Sequence, residues 1–160
     1  PVGGILPVTG GLFGFYVAGY TGVLLAVTNR PIWSDTSLLG MLFIVSAASI
    51  SAALMLLLAD RSRWTAPGII ALQRIDSWVL ALELLVLIAV MISLGPVFRA
   101  WLSGWGVFLL AVVVIGMLIP LTLYWRRSLL GPLNLTASAV LVLLGGFLLR
   151  LVIVFSSEAI

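Results

Sequence analysis

With 160 residues, of which 63% are hydrophobic and only 8% charged, and a mean hydropathy of +1.33, the chain has too little polar surface for a water-soluble domain, where about a quarter of residues are charged. Its pI of about 10.2 comes from basic residues that are all Arg and form no run beyond Arg126-Arg127, which excludes a nucleic-acid surface and reads instead as membrane topology. The absence of Cys and His excludes thiolate-held iron–sulfur clusters, His-ligated haem and a typical zinc site in this chain.

One bilayer-spanning helix takes roughly 20 apolar residues, and the sequence predicts about five. The first runs from Ile5 to Thr28. It is Gly-rich and lacks the basic flank of a signal peptide. Because it begins at Pro1 and is already apolar, the chain is expected to be a fragment of a longer protein. Gly10, Gly14, Ala18 and Gly22 recur every fourth residue, a small-residue ridge for close helix approach. Phe13, Tyr16 and Tyr20 share another face.

The polar turn Asn29-Arg30-Pro31-Ile32-Trp33-Ser34-Asp35 follows, with Pro31 as helix stop and Trp33 as an interfacial ring. The second span runs from Ser37 to Ala59 and ends at Asp60-Arg61-Ser62-Arg63-Trp64. Thr65 and Pro67 suit the cap and first turn of the third helix, Ala66 to Leu94. That helix exceeds a hydrocarbon core of roughly 30 Å, so Gln73, Arg74 and Asp76 are expected at the membrane surface. The fourth span, Gly104 to Trp125, contains Pro120, where a kink is expected. The fifth runs from Leu133 to Phe155. The fold class is therefore an all-α polytopic transmembrane helix bundle, its sequential helices antiparallel neighbours.

Loops holding Arg61, Arg63, Arg126 and Arg127 outweigh those holding Arg30 and Arg99. The positive-inside rule then puts the first pair of loops in the cytoplasm and the C-terminus outside.

Intramembrane ionisable groups are functional candidates by default. Glu83 interrupts an otherwise apolar window, and Asp76, seven residues earlier, faces the same side. Together they are proton-path candidates; the structural alternative is a buried pair or a hydrogen bond between helices. Arg150 is the obvious counterion for Glu83. In this register Glu83 lies roughly 10 Å from the inner surface and Arg150 roughly 25 Å, too far for contact. Arg150 is therefore expected to snorkel outward or face a partner, unless the third helix sits deeper. Ser46, Ser49, Ser51 and Ser138 are most simply small packing residues. Tyr16 and Tyr20 could bond a quinone carbonyl or hydroxyl, or only neighbouring carbonyls. No nucleophile–base set exists without His, Cys or Lys, which makes stand-alone hydrolysis improbable.

The run Gly19-Tyr20-Thr21-Gly22-Val23-Leu24-Leu25, continuing through Asn29-Arg30-Pro31-Ile32-Trp33, resembles the Tyr-Thr-Gly, Leu-Leu and Pro-x-Trp segment of the NrfD / polysulfide reductase membrane-subunit family. Leu42 to Ser49 is similar to its next helix. Gly145-Gly146-Phe147-Leu148-Leu149-Arg150-Leu151-Val152-Ile153-Val154 resembles its ending, although Ser156-Ser157-Glu158 follows where the family usually has Gly-Gln. The three segments occur in order and cover essentially the whole chain.

The resemblance implies eight helices in two four-helix bundles in the bacterial inner membrane. Residues 1–36 would be the last helix of the first bundle and 37–160 the whole second bundle. It implies a subunit without a cofactor of its own, exchanging electrons between menaquinone or ubiquinone and a partner iron–sulfur subunit, and through it a molybdopterin-type catalytic subunit. The quinone would be bound mainly by the N-terminal half, with Tyr20 and Tyr16 contributed here, and Arg150, Arg30 and Trp33 as structural or interface residues. A proton- or ion-translocating bundle using Glu83 and Asp76, and a purely structural anchor, are the alternatives.

Overall fold

The computed structural model describes residues 2–28, 33–34, 36–61, 66–95, 104–126 and 133–156, with the backbone alone at 2, 3, 60, 61 and 66. All five apolar stretches are helical and long enough to cross a bilayer. They form α1 (Val2–Ala26), α2 (Leu38–Arg61), α3 (Ala66–Ser93), α4 (Gly104–Val113), a π-helical turn (Val114–Leu118), α5 (Ile119–Trp125) and α6 (Asn134–Ser156). The fourth span is thus one segment in three parts. The chain is an all-α polytopic bundle, as expected.

Four spans close a ring: α2 packs on α3 and α6, α3 on α5, and α5 on α6. Their inward faces carry branched and linear aliphatics, with Leu39, Leu42, Leu56, Leu80, Leu87 and Leu149 among the fully buried side chains. Helix α1 lies outside this ring and packs chiefly on α2. Only 6% of its span is buried, against 33–44% in the other four, so its outer faces are left for lipid or protein.

Thr36 caps α2: its hydroxyl accepts the Leu38 amide at 3.2 Å, one of the donors a helix start leaves free. The expected cap Thr65 lies outside the described residues. So do the loop residues Arg30, Pro31, Asp35, Arg63, Arg99 and Arg127, as well as the side chain of Arg61.

Pro120 does not simply bend a continuous α-helix. A π turn precedes it, in which the Ile119 amide reaches back to the Val114 carbonyl. Proline has no N–H and crowds the carbonyl four residues earlier; one wide turn relieves that conflict within the span. The same turn brings Gly116 against Gly145 of α6. A Cβ on Gly116 would lie 2.4 Å from the Gly145 Cα, so this crossing requires glycine on both sides.

The ridge predicted on α1 is used at one end. A Cβ on Gly22 would lie 2.1 Å from the Gly40 Cα of α2, whereas Gly10 and Gly14 have nothing within 4 Å. The two helices touch where the connection joins them and separate beyond it.

Candidate functional site: a buried carboxyl chain

Seven residues on α3 amount to about two turns and roughly 10 Å, so Asp76 and Glu83 share the stripe that faces the ring interior. Both are buried, at 0% and 2% exposure. At the end of α3 where the sequence places the membrane surface, Asp76 is shielded by neighbouring helices rather than open to its surroundings. Gln73 and Arg74 lie on the more open side of α3, but Asp76 turns into the bundle, where polar partners from two other helices receive it.

Those partners are Ser49 and Tyr124. The Ser49 hydroxyl of α2 donates to Asp76 Oδ1 at 2.9 Å, and the Tyr124 hydroxyl of α5 donates to Oδ2 at 2.7 Å. Each carboxyl oxygen therefore has a donor, as a buried acceptor requires. Ser49 is thus more than a packing residue. Ser138 of α6 sits beside the phenol, and its hydroxyl donates to the Asn134 carbonyl at 2.8 Å. Asn134 in turn donates from Nδ2 to the Leu123 carbonyl at 2.9 Å, one of the acceptors left free where α5 ends.

Glu83 is placed differently. Its Oε1 is enclosed and, among the described residues, meets no hydrogen-bond partner; the same holds for Ser46 Oγ, although Ser46 neighbours it across the α2–α3 contact. Ser46 and Ser49 stand three apart on α2, opposite Glu83 and Asp76. Side-chain oxygens thus form two groups along the α2–α3 contact, Tyr124, Asp76 and Ser49 joined by hydrogen bonds and Ser46 beside Glu83, with no hydrogen bond linking the groups among the described residues. A buried carboxyl with an unfilled acceptor is costly to keep, and such groups mark functional positions inside membranes.

Arg150 does not bond Glu83, but it is close enough for its charge to act there. Its contacts within the chain are with α2. Arg150 Nη2 donates to the Phe43 carbonyl of α2 at 3.5 Å, and its guanidinium carbon lies 5.9 Å from the Phe43 ring centroid. The half-buried side chain borders a cleft of about 400 Å³ shared with Ala18 and Thr21 of α1 and Ala47 of α2. A carbonyl and an aromatic face both favour the guanidinium in its charged form.

Trp33 is tied to protein as well as positioned near a helix end. Its indole N–H donates to the Ile153 carbonyl at 3.3 Å, pinning the α1–α2 connection to the last turn of α6. Arg30 lies outside the described residues.

Tyr16 and Tyr20 stack with centroids 6.3 Å apart and rings 16° from parallel. They are 70% and 54% exposed, on the side of α1 away from α2, with Phe13 beside them. Nothing among the described residues covers them. Tyr124 and Asn134 were not recognisable as site residues in the sequence. Tyr124 stands next to Trp125 and Arg126, a context that reads as a membrane-interface belt, and only the turn of α5 points it inward.

The family model described as Polysulphide reductase, NrfD matches residues 2–160. No curated protein matches, and no solved structure matches.

Proposed function

This chain belongs to the polysulphide reductase NrfD family, membrane subunits of quinone-interacting oxidoreductases, and from that premise we propose that it exchanges electrons between membrane quinone and a partner iron–sulfur subunit. The observation that carries this reading is the stacked pair Tyr16 and Tyr20 on a face of α1 that no described residue covers. Phenols can donate to a quinone carbonyl and accept from a quinol hydroxyl. This chain supplies one wall of such a site. The facing wall comes from helices outside this sequence, with residues 1–36 as the last helix of that other bundle and 37–160 as the second bundle. A quinol brings two electrons and two protons to the reaction.

Tyr20 positions the ring, and Tyr16 stacks behind it and holds the Tyr20 phenol in place. The protons are carried on the two groups of oxygens inside the ring: Glu83 and Ser46, and Ser49, Asp76 and Tyr124. Arg150 lies between those oxygens and α1, bordering both. The electrons pass to the partner's cluster, since the chain has no Cys or His to hold one. The membrane is the bacterial inner membrane, with the α6 C-terminus on the outer side; the excess of Arg in the loops after α2 and α5 supports this orientation.

The solubilised native complex tests the reading. Quinone and an iron–sulfur subunit should co-purify with this chain, and quinol oxidation should reduce the cluster. A chain that purifies alone, with neither attached, rules the electron-transfer role out. In that case the buried carboxyls favour the second reading, a proton- or ion-translocating bundle.

A further inference from the structure

Helix α3 has 28 residues, roughly 42 Å at about 1.5 Å per residue, against a hydrocarbon core of roughly 30 Å. Its first turns therefore extend beyond the apolar slab. With that excess of roughly 12 Å at its polar N-terminal end, Arg74 stands at the boundary of the slab, and Ser77, Trp78 and Ala81 follow inward at i+3, i+4 and i+7 on the same stripe of the helix. Across from them are Tyr124 and Trp125 at the end of α5, and the two walls enclose a cleft of about 550 Å³. Ser77 and Ala81 are small and leave the space open. Trp78 and Trp125, each 73% exposed, flank it with indoles of the kind that sit at headgroup level.

The charge in this cleft has no internal counterion. Arg74 pairs with no carboxylate among the described residues, because Asp76 faces the opposite way and is held by Ser49 and Tyr124. Arg126, exposed beside Trp125, adds positive charge at the same end.

We propose that this cleft binds an anionic phospholipid. The phosphate sits on the Arg74 guanidinium, a charge-assisted contact. The Gln73 amide supplies a further donor to the headgroup, and the Ser77 hydroxyl, which donates to the Arg74 carbonyl at 2.7 Å, accepts from a headgroup hydroxyl. The upper part of one acyl chain lies over Ala81 between the two indoles. A free phosphate would match only the Arg74 corner and leave the apolar half of the cleft open to water, whereas a lipid matches both halves. The cleft shares only Tyr124 with the two oxygen groups, whose other members do not line it, and the proposal stands whether or not the quinone reading does.

Native mass spectrometry of the purified full complex tests it, titrating phosphatidylglycerol, phosphatidylcholine and inorganic phosphate and counting retained lipid. Phosphatidylglycerol should be retained in preference to phosphatidylcholine, and millimolar phosphate should not displace it. Arg74→Gln should weaken retention roughly fivefold. Ala81→Leu, which fills the acyl half and leaves every charge in place, should weaken it too. Equal retention of the two lipids, displacement by phosphate alone, or either variant binding like the unsubstituted chain overturns the proposal. If Arg74→Gln does not assemble, the headgroup preference of the unsubstituted complex and Ala81→Leu decide.

Discussion

Tyr124 and Asp76, 48 positions apart in the chain, meet through a 2.7 Å hydrogen bond inside the bundle. The bond joins the last turn of α5 to the first half of α3, two helices that otherwise separate enough to leave a cleft beside it. Together with Ser49 it turns a costly intramembrane carboxyl into a three-helix fastening.

Tyr124→Phe is therefore expected to destabilise the bundle by roughly 1–3 kcal/mol, the loss associated with leaving a buried acceptor unfilled. Denaturant unfolding in mixed micelles measures it. A smaller loss is expected for Ser49→Ala, because Ser49 is a neutral donor on the other oxygen and its site can close over the missing hydroxyl. Stabilities of both variants equal to the parent would remove the fastening role.

Glu83→Gln keeps the shape of a side chain that makes few polar contacts, so assembly and helix content should be unchanged. If Glu83 carries protons, proton-coupled turnover should fall by roughly tenfold or more. The check is proton uptake in proteoliposomes beside the electron-transfer rate. Normal values of both would make Glu83 a structural residue.

Tyr20→Phe removes one hydroxyl from an exposed face and should not affect assembly. Quinol oxidation at limiting quinol should slow about fivefold, the equivalent of one lost hydrogen bond. The rate at saturating quinol should change less. Unchanged kinetics at limiting quinol would take Tyr20 out of the site.

The two glycine crossings make a paired test of packing. Gly116→Ala puts a methyl group onto the Gly145 backbone and should cost at least about 1–3 kcal/mol as α6 is forced away. Gly10→Ala, where nothing lies within 4 Å, should be neutral or slightly stabilising, since alanine is the better helix former. Thermal stability of the two purified variants separates them.

The five spans, their all-α class and their approximate ends were legible in the sequence, because lipid demands unbroken apolar runs with internally satisfied backbones. The same logic singled out Glu83 and Asp76, since charge is rare at those positions for energetic reasons. The family, too, was readable from three ordered segments around Tyr20, Leu42 and Arg150.

What surrounds those residues was decided only in three dimensions. Helical spacing placed Asp76 and Glu83 on one stripe, but no local rule says which neighbouring helix meets that stripe. Ser49 and Tyr124 reach Asp76 because α2 and α5 pack against α3 at that level. Arg150 rests on Phe43, rather than bonding Glu83, because α6 lies beside α2. Gly116 meets Gly145 because the π turn before Pro120 sets that segment against α6. In a membrane the composition of a segment settles whether it crosses, since that is a matter of its own transfer free energy. Which side chains come to share a hydrogen bond depends on how whole helices pack, and that packing rests on contacts far apart in the chain.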